Sequence, residues 1–129
     1  MDVETLLAGV PTPDVGYLNK RKKLARRYTL VFLHKGPASR EDAARNERLQ
    51  LEHLQHLAKL QMLGKLVLNG PTLVEHDILG VSVYATGLEE ACALAEADPK
   101  VKAGYLVVEA IPWMAVPAPR PKTAPAATS

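Results

Sequence analysis

The sequence predicts an α+β domain with the order βαββαβ. Two long segments of helical periodicity alternate with four short apolar runs, and turn residues stand at the joins. The first run, Tyr28 to His34, is β-branched and aromatic and is closed by Gly36-Pro37, which marks a strand. A helix then opens at Ser39, where Ser39 and Asp42 have the spacing of a capping box, and it runs to Gly64 as its C′ stop. Leu66 to Leu68 forms a short strand that ends at Asn69-Gly70-Pro71, and Ile78 to Tyr84 forms a third after an irregular connection. Thr86 and Glu89 frame a fuller capping box for a second helix, which runs through Ala97. Asp98-Pro99 stops it, because a residue before proline is pushed out of the α region. Tyr105 to Ile111 is the last strand, closed by Pro112.

This order implies a split βαβ sheet with both helices on one face. The first strand is apolar on both sides, with Tyr28, Leu30 and Phe32 alternating with Val31 and Leu33, so the face away from the helices also needs cover. A second copy of the sheet supplies it economically, which makes a homodimer the expected assembly. The long helix carries two apolar stripes. Leu49, Leu57, Leu60 and Leu63 form one, and Leu51, Leu54, Ala58 and Met62 form another that calls for a partner subunit or for the cluster Leu6, Leu7 and Val10.

With 129 residues the chain supports one domain, and the expected division is an N-terminal extension over 1–26, the domain over 27–115 and a disordered Pro/Ala-rich tail over 116–129. Sixteen Lys and Arg against fourteen Asp and Glu leave a formal charge of +2, which gives no global drive toward nucleic acid or membrane. The basic run from Lys20 to Arg27 has little aromatic interleaving and reads as a solvated linker, so no nucleic-acid partner is expected. Acidic residues precede the first apolar run, the wrong order for a secretory signal, and no segment reaches membrane-spanning length; a cytoplasmic protein without a membrane partner is the expectation. Cys92 stands alone in an Ala- and Leu-rich helix and reads as a small buried hydrophobe.

Four histidines remain to be placed. His53 lies within the first stripe, one turn from Leu49 and one from Leu57, so it points toward the sheet. Two readings are open for it: a buried histidine satisfied by a backbone carbonyl, or a general acid or base tuned by burial and a carboxylate. His56 follows at a spacing found in some metal pairs, but a metal site also needs His34, His76 or a carboxylate to converge, and none is expected. Asp98 alone reads as an Asx-turn former. Glu109, Tyr84 and Tyr105 lie on strands without an assigned face, and Arg40, Arg45 and Arg48 are candidates to meet a substrate carboxylate.

Two runs carry a family likeness. His53-Leu-Gln-His-Leu57-Ala-Lys-Leu60-Gln-Met-Leu-Gly64-Lys-Leu66-Val-Leu-Asn-Gly70-Pro71 resembles the YCII-related pattern of His, spaced leucines, Gly and Gly-Pro, and Ala97-Asp98-Pro99-Lys-Val101-Lys-Ala103-Gly104 followed by Ile111-Pro112-Trp113 is similar to its second signature. The resemblance implies a ferredoxin-like fold that pairs into a dimeric α/β barrel. It also implies a site in which His53 carries a proton, Asp98 orients its ring, and Gly70 and Pro71 shape the rim around a small ligand; no cofactor and no metal are expected. Members linked to the breakdown of chlorinated aromatics imply proton abstraction or elimination on a small organic acid or lactone, a lyase or isomerase chemistry. The alternative is a non-catalytic dimeric module for small-ligand binding or assembly. Residues 1–26 and the Pro-rich tail have no counterpart in this pattern.

Overall fold

A computed structural model describes residues 2–120 of the chain. They fall into two compact units, one formed by residues 27–114 and the other by the flanking segments. The flanking unit contains two short helices, α1 (Val3–Ala8) and α2 (Val15–Lys22), and the second takes in the start of the Lys20–Arg27 run, where a solvated linker is the sequence expectation. Each is started by an aspartate, with the Asp2 carboxylate accepting from the Glu4 N–H and the Asp14 carboxylate from the Tyr17 N–H. Lys20, Arg21 and Lys22 fill the last turn of α2, where cations complement the helix dipole. Arg21 also donates to the Pro117 carbonyl. Leu6, Leu7 and Val10 are exposed. Most of the tail expected to be disordered, from residue 121 onward, lies outside the described residues.

The larger unit is a ferredoxin-like α+β fold. Its strands β1 (Arg26–Lys35), β2 (Leu66–Pro71), β3 (Ile78–Tyr84) and β4 (Leu106–Ala115) form one antiparallel sheet in the order β2-β3-β1-β4. Helix α3 (Ala43–Met62) connects β1 to β2, and α4 (Leu88–Glu96) with the single turn α5 (Pro99–Lys102) connects β3 to β4. Alternation in β1 sends Thr29, Val31 and Leu33 into the core while Leu30 and Phe32 are half-buried on the opposite side. The core joins these to Leu49, Leu57 and Leu60 of α3, Ala91 and Ala95 of α4, and Tyr84, Tyr105 and Leu106.

Several boundaries differ from the sequence expectation, each for a local reason. Helix α3 begins at Ala43 and not at Ser39, because Asp42 is its N-cap and accepts from the Arg45 N–H at 3.1 Å. Ser39 caps nothing there; its hydroxyl accepts from the Glu41 N–H at 3.3 Å. The capping box at Thr86 is absent: Gly87 is the N-cap of α4 and offers no side-chain hydrogen bond, and the Thr86 carbonyl accepts from the Thr29 hydroxyl. Strand β4 runs through Pro112 to Ala115, which an edge strand tolerates because one of its sides has no partner strand. Gly64 does end α3 in the left-handed region, with φ of 72°. Leu63 becomes the C-cap and is 68% exposed, so it leaves the core stripe. On the second stripe Leu51, Leu54 and Met62 are all exposed.

Candidate functional site

His53 is turned inward by the helix itself. The spacing Leu49, His53, Leu57, Leu60 repeats every three or four residues, and the three leucines are buried against the sheet, so the imidazole between them faces the same way. Its side chain keeps only 13% of its exposure.

Asp98 comes from the opposite side. Pro99 restricts it to an extended conformation, φ −61° and ψ 129°, which ends the path of α4 and starts α5 with proline in the first turn. That bend divides the work of one carboxylate. Oδ1 accepts the Lys100 N–H at 2.9 Å as the N-cap of α5, and Oδ2 accepts from His53 Nδ1 at 2.5 Å. Helix α5 packs on α3, which brings the two residues together across 45 positions of sequence. Asp98 is 2% exposed, so its charge is compensated by these two donors and not by water. The same charge is felt by Tyr84, whose phenol is pushed up to about 12, first by burial and then by Asp98.

With Nδ1 engaged as a donor, Nε2 is the ring nitrogen left for other business. His53 lines a cavity of about 180 Å³ between α3 and the sheet. Gly70 and Pro71 form its β2 side, and the antiparallel register sets them opposite Val81 and Gly80. Adding a Cβ to Gly70 would meet no protein atom within 4 Å, so packing does not demand glycine there. Leu33, Leu57 and Leu106 make the interior apolar, while Gln50, Asn69, Ser82 and Lys100 supply convergent polar groups. An enclosed apolar volume of about 150 Å³ accepts benzene, so this space has the size of one six-membered ring with few substituents.

The remaining sequence candidates lie elsewhere. His34 Nε2 pairs with Glu109 at 2.8 Å, and neither residue lines the His53 cavity. His56 Nε2 meets the Leu94 carbonyl at 2.8 Å, the structural satisfaction that was open for His53, and His76 accepts from the Ile78 N–H in the β2–β3 loop. Among the described residues no group of three or more His, Cys, Asp and Glu side chains is arranged to hold a metal ion. No described helix is long and apolar enough to cross a membrane. Tyr105 is buried and donates to Asn46 on α3. Lys100 and Gln50 are missed by sequence reasoning. Gln50 had a signal, since it stands one turn before His53 on the same helix; Lys100 had only its place two residues after Asp98.

The chain and its fold have known relatives. The model of the YCII-related domain matches residues 28–114. Among solved structures, 5-chloro-2-hydroxyhydroquinone dehydrochlorinase from Burkholderia phenoliruptrix, in complex with 2,5-dihydroxybenzoquinone, is similar at 22% identity and a TM-score of 0.50, over 67% of this chain and 92% of that one. No curated protein matches the sequence.

Proposed function

We propose that this chain, which belongs to the YCII-related family, is a small cofactor-independent enzyme of lyase or isomerase type that acts on a ring-sized organic acid or lactone. The observation that carries the reading is the His53–Asp98 contact of 2.5 Å at the wall of an apolar cavity. In this chemistry His53 Nε2 takes a proton from an acidic carbon or hydroxyl of the substrate. The electron pair of the broken bond forms a new π bond, and a leaving group such as chloride departs with its own bonding pair. The same nitrogen then releases the proton to solvent, or returns it to a different atom in an isomerisation. Asp98 holds the ring in the Nδ1–H form and balances the charge that the ring acquires. The bound quinone and the dehydrochlorination activity named for the similar Burkholderia enzyme support a ligand of this size and an elimination of this kind. Gly70 and Pro71 serve as the rim, where the lack of a side chain at Gly70 leaves room for a ligand.

The test is turnover of a panel of small organic acids, lactones and chlorinated hydroquinones, 5-chloro-2-hydroxyhydroquinone first among them, read by chloride release or ultraviolet absorbance. Turnover that survives His53→Gln unchanged removes the reading.

The working unit in this proposal is a homodimer in which two sheets pack face to face as an α/β barrel. Support comes from the sheet face opposite the helices, where Val107, Ile111 and Trp113 of β4 are 49%, 43% and 44% exposed beside half-buried Leu30 and Phe32. Light scattering or sedimentation should give twice the 14.0 kDa chain mass, and Ile111→Glu should return it to a single chain. A monomeric wild type at micromolar concentration contradicts the pairing.

A further inference from the structure

Next to the His53 cavity lies a second, more open cleft of about 470 Å³, and Gln50 and Lys100 line both. Its other walls include Arg40, Asn46 and Tyr105, together with one acid, Glu47. Arg40 is held firmly. Its guanidinium lies 4.9 Å from the centre of the Tyr105 ring, and it donates to the Tyr105 carbonyl. Arg45 approaches the same ring at 5.5 Å, so a third cation stands near the two that line this cleft.

These cations have not been neutralised by the fold. The ion pairs among the described residues are His34 with Glu109, His53 with Asp98, and Lys65 with Glu90, and none involves Arg40, Arg45 or Lys100. Glu47 lines the cleft without reaching salt-bridge distance of any of them. The nearest buried carboxylate, Asp98, already has both oxygens occupied by His53 and by a backbone N–H. Lys100 Nζ donates to Gln50 Oε1, which leaves two of its three donors free. Arg40 Nε is buried and has no partner. A buried donor without a partner is costly, so the guanidinium keeps hydrogen-bonding capacity that the fold leaves unused. The Lys100 ammonium is held below its ordinary range, chiefly by burial and next by the charge of Arg40, with Asp98 pulling the other way. An anion placed between Arg40 and Lys100 relieves that repulsion.

We propose that Arg40 and Lys100 form an anion subsite, so that the ligand spans the two spaces with its reacting atoms at His53 and a carboxylate in the cleft. This deepens the catalytic reading by naming the groups that select an acid, and it rests on that reading for the role of His53. Lys100, on the shared wall, positions the substrate. Arg40 selects against neutral analogues, because an uncharged group leaves two partly buried cations without a counter-charge.

The experiment titrates the full-length protein with benzoate and with its neutral counterpart benzamide, following backbone and lysine side-chain NMR shifts. Benzoate is expected to bind more tightly than benzamide and to move the Lys100 and Gln50 signals. Lys100→Gln and Arg40→Gln should each weaken benzoate about 10- to 100-fold, the scale of one charge-assisted hydrogen bond, and benzamide by much less. Lys100→Arg should restore most of the affinity. Lys100 keeps its backbone contact to Asp98 when its side chain changes, so Lys100→Gln decides the matter even where Arg40→Gln disturbs the packing on Tyr105. Equal affinity for benzoate and benzamide, or benzoate binding untouched by Lys100→Gln, overturns the subsite. Turnover by His53→Gln tests the catalytic reading separately: undiminished turnover with charge-selective benzoate binding defeats that reading and leaves the subsite standing.

Discussion

His53→Gln is expected to lower turnover by about 10²–10⁴-fold, the contribution of one positioned acid–base group, with the fold retained. Glutamine fills a similar volume and its amide can donate to Asp98 Oδ2 as the imidazole does, so the buried carboxylate keeps a partner. What disappears is a nitrogen able to take and return a proton. His53→Ala is a poorer test, because it leaves the carboxylate short of a donor at a cost of about 1–3 kcal/mol and so mixes stability with chemistry. Circular dichroism and thermal unfolding of the glutamine variant, beside its rate on the best substrate of the panel, separate the two. A rate within a few-fold of wild type assigns the proton transfer to another group.

Asp98 is expected to separate into two functions under substitution. Asp98→Asn keeps an oxygen for the Lys100 N–H, and asparagine is as good an N-cap as aspartate, so stability should change by less than about 1 kcal/mol. The amide nitrogen now facing His53 is a donor, however, and the ring answers by presenting a lone pair at Nδ1 and carrying its proton on Nε2. That is the wrong tautomer for a base, and turnover should fall by about 10²–10⁴-fold. Asp98→Ala removes the cap, for about 1 kcal/mol, and strands the imidazole N–H, for about 1–3 kcal/mol more. The expected pattern is therefore two inactive variants of which only the alanine one melts early. Equal destabilisation by both means that the charge of Asp98, and not its capping geometry, holds α5 in place.

The residues that made the site legible in the sequence are those governed by short-range rules. Leucines at 49, 57 and 60 fix the facing of His53 through helical periodicity alone, and Pro99 fixes the backbone of Asp98 through sterics. The contact between His53 and Asp98 is different in kind. It spans the sheet connection and depends on α5 packing against α3, which no local pattern specifies; only the family likeness put the two residues in one place. The same distinction explains what was missed. Helix α5 is a single turn, too short to show periodicity, so nothing local marks Lys100 as a wall residue. Competition between neighbouring caps decided the helix starts, with Asp42 displacing Ser39 and Gly87 displacing Thr86. Pro112 stopped a strand only on paper, because its place at the sheet edge is a property of topology.

Long-range ¹H–¹⁵N spectra of the histidine rings test the central arrangement most directly, since they report which nitrogen of His53 carries the proton. The expected result is a proton on Nδ1, shifted far downfield by Asp98, with Nε2 responding to benzoate, and the opposite tautomer in Asp98→Asn. A wild-type ring protonated at Nε2, or one indifferent to the change at Asp98, contradicts it.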